Sequence, residues 1–160
     1  RTFQIPQIFP SLTVEKSISV GSRFGSRDGL DEDHVAEIIR FVELSEEKNQ
    51  KTGHLNLLGK KKLMIGAALA TKPRMLMLDE PMAGSNANEI KALMDLIRRI
   101  NGEMGLTIII IEHFMKVLTE LTEKLLIIES GAMICCDVPE VATSDKRVIE
   151  SYIGDAYVER

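Results

Sequence analysis

Met75-Leu76-Met77-Leu78-Asp79-Glu80-Pro81 is the stretch whose reading decides the fold. Four apolar residues run directly into two adjacent carboxylates and a proline. A short unbroken apolar run ending in a turn signal predicts a strand buried on both faces, as in a parallel sheet covered by helices. The carboxylates then fall at the strand's C-terminal end, the edge where open α/β sheets gather their ligands. Pro81 has no N–H and stops the ladder there. One carboxylate at such a strand end can hold Mg²⁺ beside a nucleotide phosphate, directly or through water. A second beside it can orient a water for attack on that phosphate. A strand that merely ends in solvated acids would read the same, so the rest of the chain has to decide between the two.

Downstream, residues 106–111 form a second apolar run, ending in Glu112-His113, and residues 124–129 form a third. The segments between them carry helical periodicity. A long helix starts at Asn88-Glu89, turns Ile90, Leu93, Ile97 and Ile100 inward and ends at Asn101-Gly102. Residues 114–122 are helical. Strand–helix–strand–helix–strand from 75 to 129 predicts one parallel α/β core. Parallel strands put their C-terminal ends on one edge, so Asp79-Glu80 and Glu112-His113 should be neighbours. A lone histidine is usually structural. One placed just past a buried strand, level with a carboxylate pair, is a candidate γ-phosphate contact. Ser130-Gly131 reads as a hairpin turn into residues 132–136, and residues 138–142 and 146–153 read as short helices.

Upstream, Pro6 and Pro10 exclude a helix over residues 1–10. Ser11 or Thr13 caps a short helix that runs through Val20 and ends at Gly21, with a loop to Gly29. Asp31-Glu32-Asp33 place acids in the first turn of the next helix, whose apolar face is Val35, Ile38, Ile39 and Val42. Residues 45–52 are polar and read as a linker. Residues 59–70 form a helix with Leu63, Ala67 and Ala70 on one face, ended by Lys72-Pro73. A helical run from 11 to 72 reads as a helical subdomain.

The 160 residues are 44% hydrophobic and 28% charged, which fits a folded globular chain with a real core. A net charge of −4 offers no nucleic-acid surface. The one basic run, Lys60-Lys61-Lys62, reads as a solvated helix turn. No apolar run reaches the length of a membrane span. Cys135 and Cys136 are sequence neighbours, which close a disulfide only with strain, so reduced thiols and a cytoplasmic setting are expected. A Cys/His metal site would need more ligands near them. The opening Arg1-Thr2-Phe3-Gln4 carries neither Met nor a targeting segment and reads as entered midway through a longer protein.

Over essentially its whole length the sequence resembles the nucleotide-binding subunit of an ABC transporter. Residues 75–81 are similar to Walker B followed by the catalytic glutamate, and Ala83-Gly84-Ser85-Asn86 to the D-loop. His113 in Ile111-Glu112-His113-Phe114-Met115 is similar to the switch histidine, and Gln4 to the Q-loop glutamine. Arg1-Thr2-Phe3-Gln4, Leu12-Thr13-Val14, Ile111-Glu112-His113 and Val148-Ile149-Glu150-Ser151-Tyr152-Ile153-Gly154 resemble, more narrowly, the branched-chain amino acid uptake branch. There are two departures. No Gly-x-x-x-x-Gly-Lys-Ser/Thr occurs. In the family that P-loop precedes the Q-loop, so an N-terminally truncated chain is expected. The signature loop, Leu-Ser-x-Gly-Gln in the family, is Leu55-Asn56-Leu57-Leu58-Gly59 here, followed by the lysines. The family glycine falls on Leu58 or Gly59, and Asn56 replaces the hydroxyl.

The resemblance implies a P-loop NTPase α/β core with a parallel sheet and an inserted helical subdomain. Residues 1–10 would be the Q-loop end of the core and 11–72 the helical subdomain with its degraded signature. Residues 73–144 would be the core bearing Walker B, D-loop and switch histidine, and 145–160 a tail helix. The implied cofactors are ATP and Mg²⁺. Asp79 and Gln4 would serve the metal, and Glu80, His113 and Gln4 the hydrolysis. Asn56, Leu58, Gly59 and Asn86 would face nucleotide in a head-to-tail pair. The implied partners are a second ABC ATPase subunit, identical or not, and transmembrane permease subunits, with no nucleic acid. The implied place is the cytoplasmic face of the cell membrane. The implied activity is ATP hydrolysis that powers import of branched-chain amino acids or a related small solute. A non-catalytic regulatory subunit and a soluble ABC ATPase tied to no transporter stay open.

Overall fold

A computed structural model describes residues 8–25 and 29–153, the side chains of residues 152 and 153 excepted. The chain forms two compact units, Arg1–His113 and Phe114–Arg160.

The first unit holds helices α1 (Val14–Gly25), α2 (Glu32–Phe41), α3 (Leu57–Leu69) and α4 (Ala87–Met104) and strands β1 (Met75–Asp79) and β2 (Thr107–Ile111). Thr13, rather than Ser11, caps α1, its hydroxyl accepting the Lys16 N–H at 3.2 Å. The helix does not end at Gly21 but runs to Gly25. Gly21 has a different task. A Cβ there would lie 2.2 Å from the Ala67 carbonyl oxygen of α3, so glycine lets the two helix backbones touch. One turn away on the same seam, a Cβ on Gly66 would lie 3.2 Å from Ile18 and 3.3 Å from Val42. Val14, Ile18, Val35, Ile38, Ile39 and Val42 are buried around this crossing.

Residues 45–52 are not a linker. Thr52 is buried, donates its hydroxyl to the Phe9 carbonyl at 2.7 Å and its N–H to Leu12 at 2.9 Å. Thr13 and Lys51 form an antiparallel bridge. The backbone of Lys48 and Gln50 accepts the N–H groups of Glu15 and Val14, so the segment is tied to the start of α1.

Helix α3 buries more than one face. Leu63, Ile65, Gly66 and Leu69 are buried, while Ala67, expected inward, is half-buried. The helix packs against α1, α2 and α4, which leaves little of it to solvent. The lysine run is likewise not a solvated turn, since Lys61 is 6% and Lys62 9% exposed. Lys62 donates to Glu43 Oε2 at 2.6 Å, and Arg99 of α4 reaches the same carboxylate at 3.0 Å. Arg99 also lies 4.6 Å over the Phe41 ring. The hydrogen bond from Lys62, then the charges of Lys62 and Arg99, hold the Glu43 carboxyl below its ordinary value against partial burial. One carboxylate thus joins the end of α2 to α3 and α4.

Helix α4 starts at a full capping box, Asn86 with Glu89. It passes Asn101-Gly102 and ends at Gly105, which supplies the left-handed cap at φ 64°. Strands β1 and β2 pair in parallel, Met75 with Thr107 through Asp79 with Ile111. The expectation of burial on both faces is not met among the described residues. Leu76 and Leu78 are buried, whereas Met75, Met77, Ile109 and Ile111 are exposed. The alternation is that of a sheet covered on one side.

The second unit holds α5 (Met115–Leu121), β3 (Leu125–Glu129), β4 (Ala132–Asp137), α6 (Pro139–Ala142) and α7 (Lys146–Ile153). Among the described residues β3 does not extend the parallel sheet. It pairs antiparallel with β4 in a separate sheet. Ser130 and Gly131 both have positive φ, 49° and 81°, the twist that closes a tight hairpin. A two-residue connection permits only antiparallel pairing. Val117, Leu125, Ala142 and Val148 are buried in this unit. Cys135 and Cys136 on β4 are free thiols. Among the described residues no helix is long and apolar enough to cross a membrane.

Gly21→Ala should destabilise the fold by about 2 kcal/mol through overpacking against the α3 backbone. Urea unfolding reads this as a lower midpoint, and an unchanged midpoint would mean that the two helices stand apart in solution.

Candidate functional site

The parallel register sets Asp79 opposite Ile111, and the ladder continues one residue further, with the Glu80 N–H donating to the Ile111 carbonyl at 2.9 Å. Glu80 itself sits at φ 44°, a left-handed conformation uncommon for a non-glycine residue and often found where a site holds its backbone under constraint. The chain therefore leaves the sheet sharply after Asp79. It then folds on itself, the Ala83 N–H donating to Glu80 at 3.2 Å and the Ser85 N–H to Met82 at 3.1 Å. Gly84, at φ 72°, completes the turn.

Glu112 follows β2 directly and its side chain is fully buried. Its Oε1 accepts the Met82 N–H at 2.7 Å and its Oε2 accepts the His113 N–H at 3.2 Å. The same carboxylate lies 3.8 Å from His113 Nδ1. The sequence places Glu112 beside His113 without giving it a task. The signal was there, in a carboxylate just past a buried strand, the position that singled out Asp79. The His113 ring is 60% exposed and is not a core histidine. Asp79 and Glu80 are half-buried. Register thus brings Asp79, Glu80, Glu112 and His113 to one sheet edge. Gln4 lies outside the described residues.

Asn56 caps α3, its side-chain oxygen accepting the Gly59 N–H at 2.8 Å. A Cβ on Gly59 would lie 3.2 Å from that oxygen and 3.3 Å from Leu55 Cβ, so the tight position in this segment is Gly59, while Leu58 is half-buried. Asn86 is exposed, and its side-chain oxygen accepts the N–H groups of Asn88 at 3.0 Å and Glu89 at 3.1 Å. Lys61 crosses from α3 to the loop, donating to the Ala83 carbonyl at 2.5 Å and to Ser85 Oγ at 2.7 Å. Burial pushes its pKa down, and the nearby charges of Glu112 and Glu89 oppose that shift.

A shallow cavity of about 120 Å³ adjoins the strand ends, lined by Met77, Leu78, Asp79, Ile109 and Ile111. Among the described residues no three His, Cys, Asp or Glu side chains gather as a metal cage. Asp79 and Glu80 at the strand end are oxygen donors of the kind that Mg²⁺ takes together with substrate phosphates and water.

Comparison with known proteins gives the following likenesses. The family model described as "ABC transporter" matches residues 1–83. The high-affinity branched-chain amino acid transport ATP-binding protein BraF of Pseudomonas aeruginosa is 29% identical over 174 aligned residues, covering 98% of this chain and 68% of that protein. LivG of Escherichia coli, named for the same transport, is 28% identical over 172 residues with the same coverage. The methionine import ATP-binding protein MetN 2 of Shouchella clausii is 34% identical over 133 residues, 82% of this chain and 39% of that protein. Among solved structures, an ATP-binding cassette of an ABC transporter in its ADP conformation superposes with a TM-score of 0.81 at 28% identity, over 97% of this chain and 68% of that one. A nucleotide-free cassette from an ABC transporter gives 0.78 at 26% identity over the same shares.

Asn86→Ala should cost about 1 kcal/mol through the lost cap, seen as a lower urea midpoint at unchanged slope, with Asn86→Asp restoring it. An unchanged midpoint would mean that the Asn86 side chain does not hold the start of α4.

Proposed function

This chain belongs to the ABC transporter family, whose ATPase cassettes bind and hydrolyse ATP, and we propose that it is the ATP-hydrolysing subunit of an importer. The observation that carries this reading is the shared strand edge of Asp79, Glu80 and His113, fixed by the β1–β2 register. Asp79 would hold Mg²⁺, directly or through water, and the resemblance gives Gln4 as a second ligand. The metal supplies charge neutralisation at the phosphates. Glu80 orients and polarises the attacking water, and His113, on the exposed rim, contacts the γ-phosphate. Hydrolysis of this kind rests on positioning and charge stabilisation, so the loss of one member is costly. The amides at the start of α3, between Asn56 and Gly59, together with Asn86 of the loop, face the nucleotide of a second ABC ATPase subunit. Residues 11–72 serve as the helical subdomain that meets the transmembrane permease subunits at the cytoplasmic face of the membrane. Branched-chain amino acids or a related small solute are the cargo, a reading supported by BraF and LivG at modest identity.

One observation favours a second reading. Asn56 and Leu58 depart from Leu-Ser-x-Gly-Gln, which suits a subunit whose composite site pairs without turnover. Glu80→Gln, in the protein extended upstream through the P-loop, separates the two. Gln keeps the size but loses the charge that polarises water. ATP should still bind, and hydrolysis should fall by on the order of 10² or more. Asp79→Asn should weaken Mg²⁺ and nucleotide binding as well. Hydrolysis at the parent rate in the Glu80 variant would favour the non-catalytic subunit.

A further inference from the structure

Two charged side chains grip the loop after β1, and both are buried. Lys61 reaches it from the second turn of α3, donating to the Ala83 carbonyl at 2.5 Å and Ser85 Oγ at 2.7 Å. Glu112 reaches it from the end of β2, accepting the Met82 N–H at 2.7 Å, and its other oxygen accepts the His113 N–H. Taking an ammonium and a carboxylate out of water is costly unless each is hydrogen-bonded and compensated. Here each is hydrogen-bonded to the loop, and the Glu112 and Glu89 charges act on Lys61. A solvated lysine would serve a helix surface equally well. Only a buried one fixes a distance.

We propose that Lys61 and Glu112 are positioning residues that hold residues 82–85 and, through the Ala83 N–H on the Glu80 carbonyl, the backbone from which the Glu80 carboxylate projects. The grip has a consequence for the site. Ala83 donates its N–H to the backbone carbonyl of Glu80, so the residue Lys61 holds by its carbonyl is bonded through its N–H to the main chain that carries the candidate water-polarising side chain. Lys61 also follows the Leu55–Gly59 segment within two residues. The loop bearing Glu80 is therefore indexed to α3, and Glu112 indexes the same loop to His113. Ser85 matters as the acceptor that makes the lysine contact two-pronged.

The test has two arms, because the kinetic consequence rests on the hydrolytic reading above and the positioning does not. In residues 1–160, Lys61→Met keeps side-chain length and removes the donor. Hydrogen exchange of the Ala83 and Ser85 amides should accelerate roughly tenfold or more, while the β1 amides of Leu76 and Leu78 stay at the parent rate. Ser85→Ala, the milder change, should accelerate the Ser85 amide less. The double variant should match Lys61→Met alone, as expected for two members of one contact. Glu112→Gln keeps an acceptor for Met82 but turns an N–H toward His113, so the His113 amide should be the one to accelerate. Unchanged exchange in the loop, or equal acceleration in β1, would overturn the proposal. In the extended protein, Lys61→Met should lower kcat about tenfold with KM for ATP within about twofold. A raised KM at parent kcat would also overturn it. If Glu80→Gln leaves hydrolysis untouched, the hydrolytic reading fails, and the exchange arm still decides for Lys61 and Glu112.

Discussion

The hydrogen bond from the Glu80 N–H to the Ile111 carbonyl, at the end of the β1–β2 ladder, is the constraint on which the site depends. It carries the parallel register one residue past the strand and forces the turn at Glu80. Side chains alternate along a strand, so a slip of one residue would send Leu76 and Leu78 to the exposed face and take Asp79 out of line with Ile111. With the register held, two pairs of polar residues from distant parts of the chain meet at one edge. Glu112 then uses its buried carboxylate to tie the loop after β1 to the backbone of His113.

The helical half of the same unit depends on a different constraint, the close contact of α1 and α3. Gly21 and Gly66 remove the atoms that would keep helices apart, and the seam buries Ile18, Ile38 and Val42. With α3 so enclosed, Lys61 and Lys62 are buried and directed to partners. Lys62 finds Glu43, which Arg99 of α4 also holds, and Lys61 finds the loop after β1. Burial of α3 and order in the loop are thus linked by the same side chains.

What could be read from the sequence followed from how local each signal was. The apolar run into Asp79-Glu80, the 3.6-residue spacing of α4 and the Ser130-Gly131 turn each lie within a few residues, and each produced the element it implied. The parallel pairing of residues 75–79 with 107–111 followed because a strand–helix–strand segment has few alternatives. The misses depended on partners far away in sequence. Lys60-Lys61-Lys62 looks solvated until Glu43, Ala83 and Ser85 are placed beside it. Gly21 looks like a helix stop until Ala67 is placed across from it, and residues 45–52 look like a linker until Thr52 meets Phe9. The third apolar run, 124–129, reads as a further strand of the parallel sheet because it follows the first two in a strand–helix–strand pattern. The hairpin beside it, with two left-handed residues, carried the better local signal.

The central claim is that the edge bearing Asp79, Glu80 and His113 receives the metal–phosphate end of ATP. Paramagnetic broadening by Mn²⁺ bound with ATP tests it most directly, in a chain of its relatives' full length. The amide signals of Asp79, Glu80 and His113 should broaden most strongly, with the broadening falling off along β1 toward Met75, about 13 Å away. Sharp signals at all three residues, with broadening elsewhere, would contradict the account.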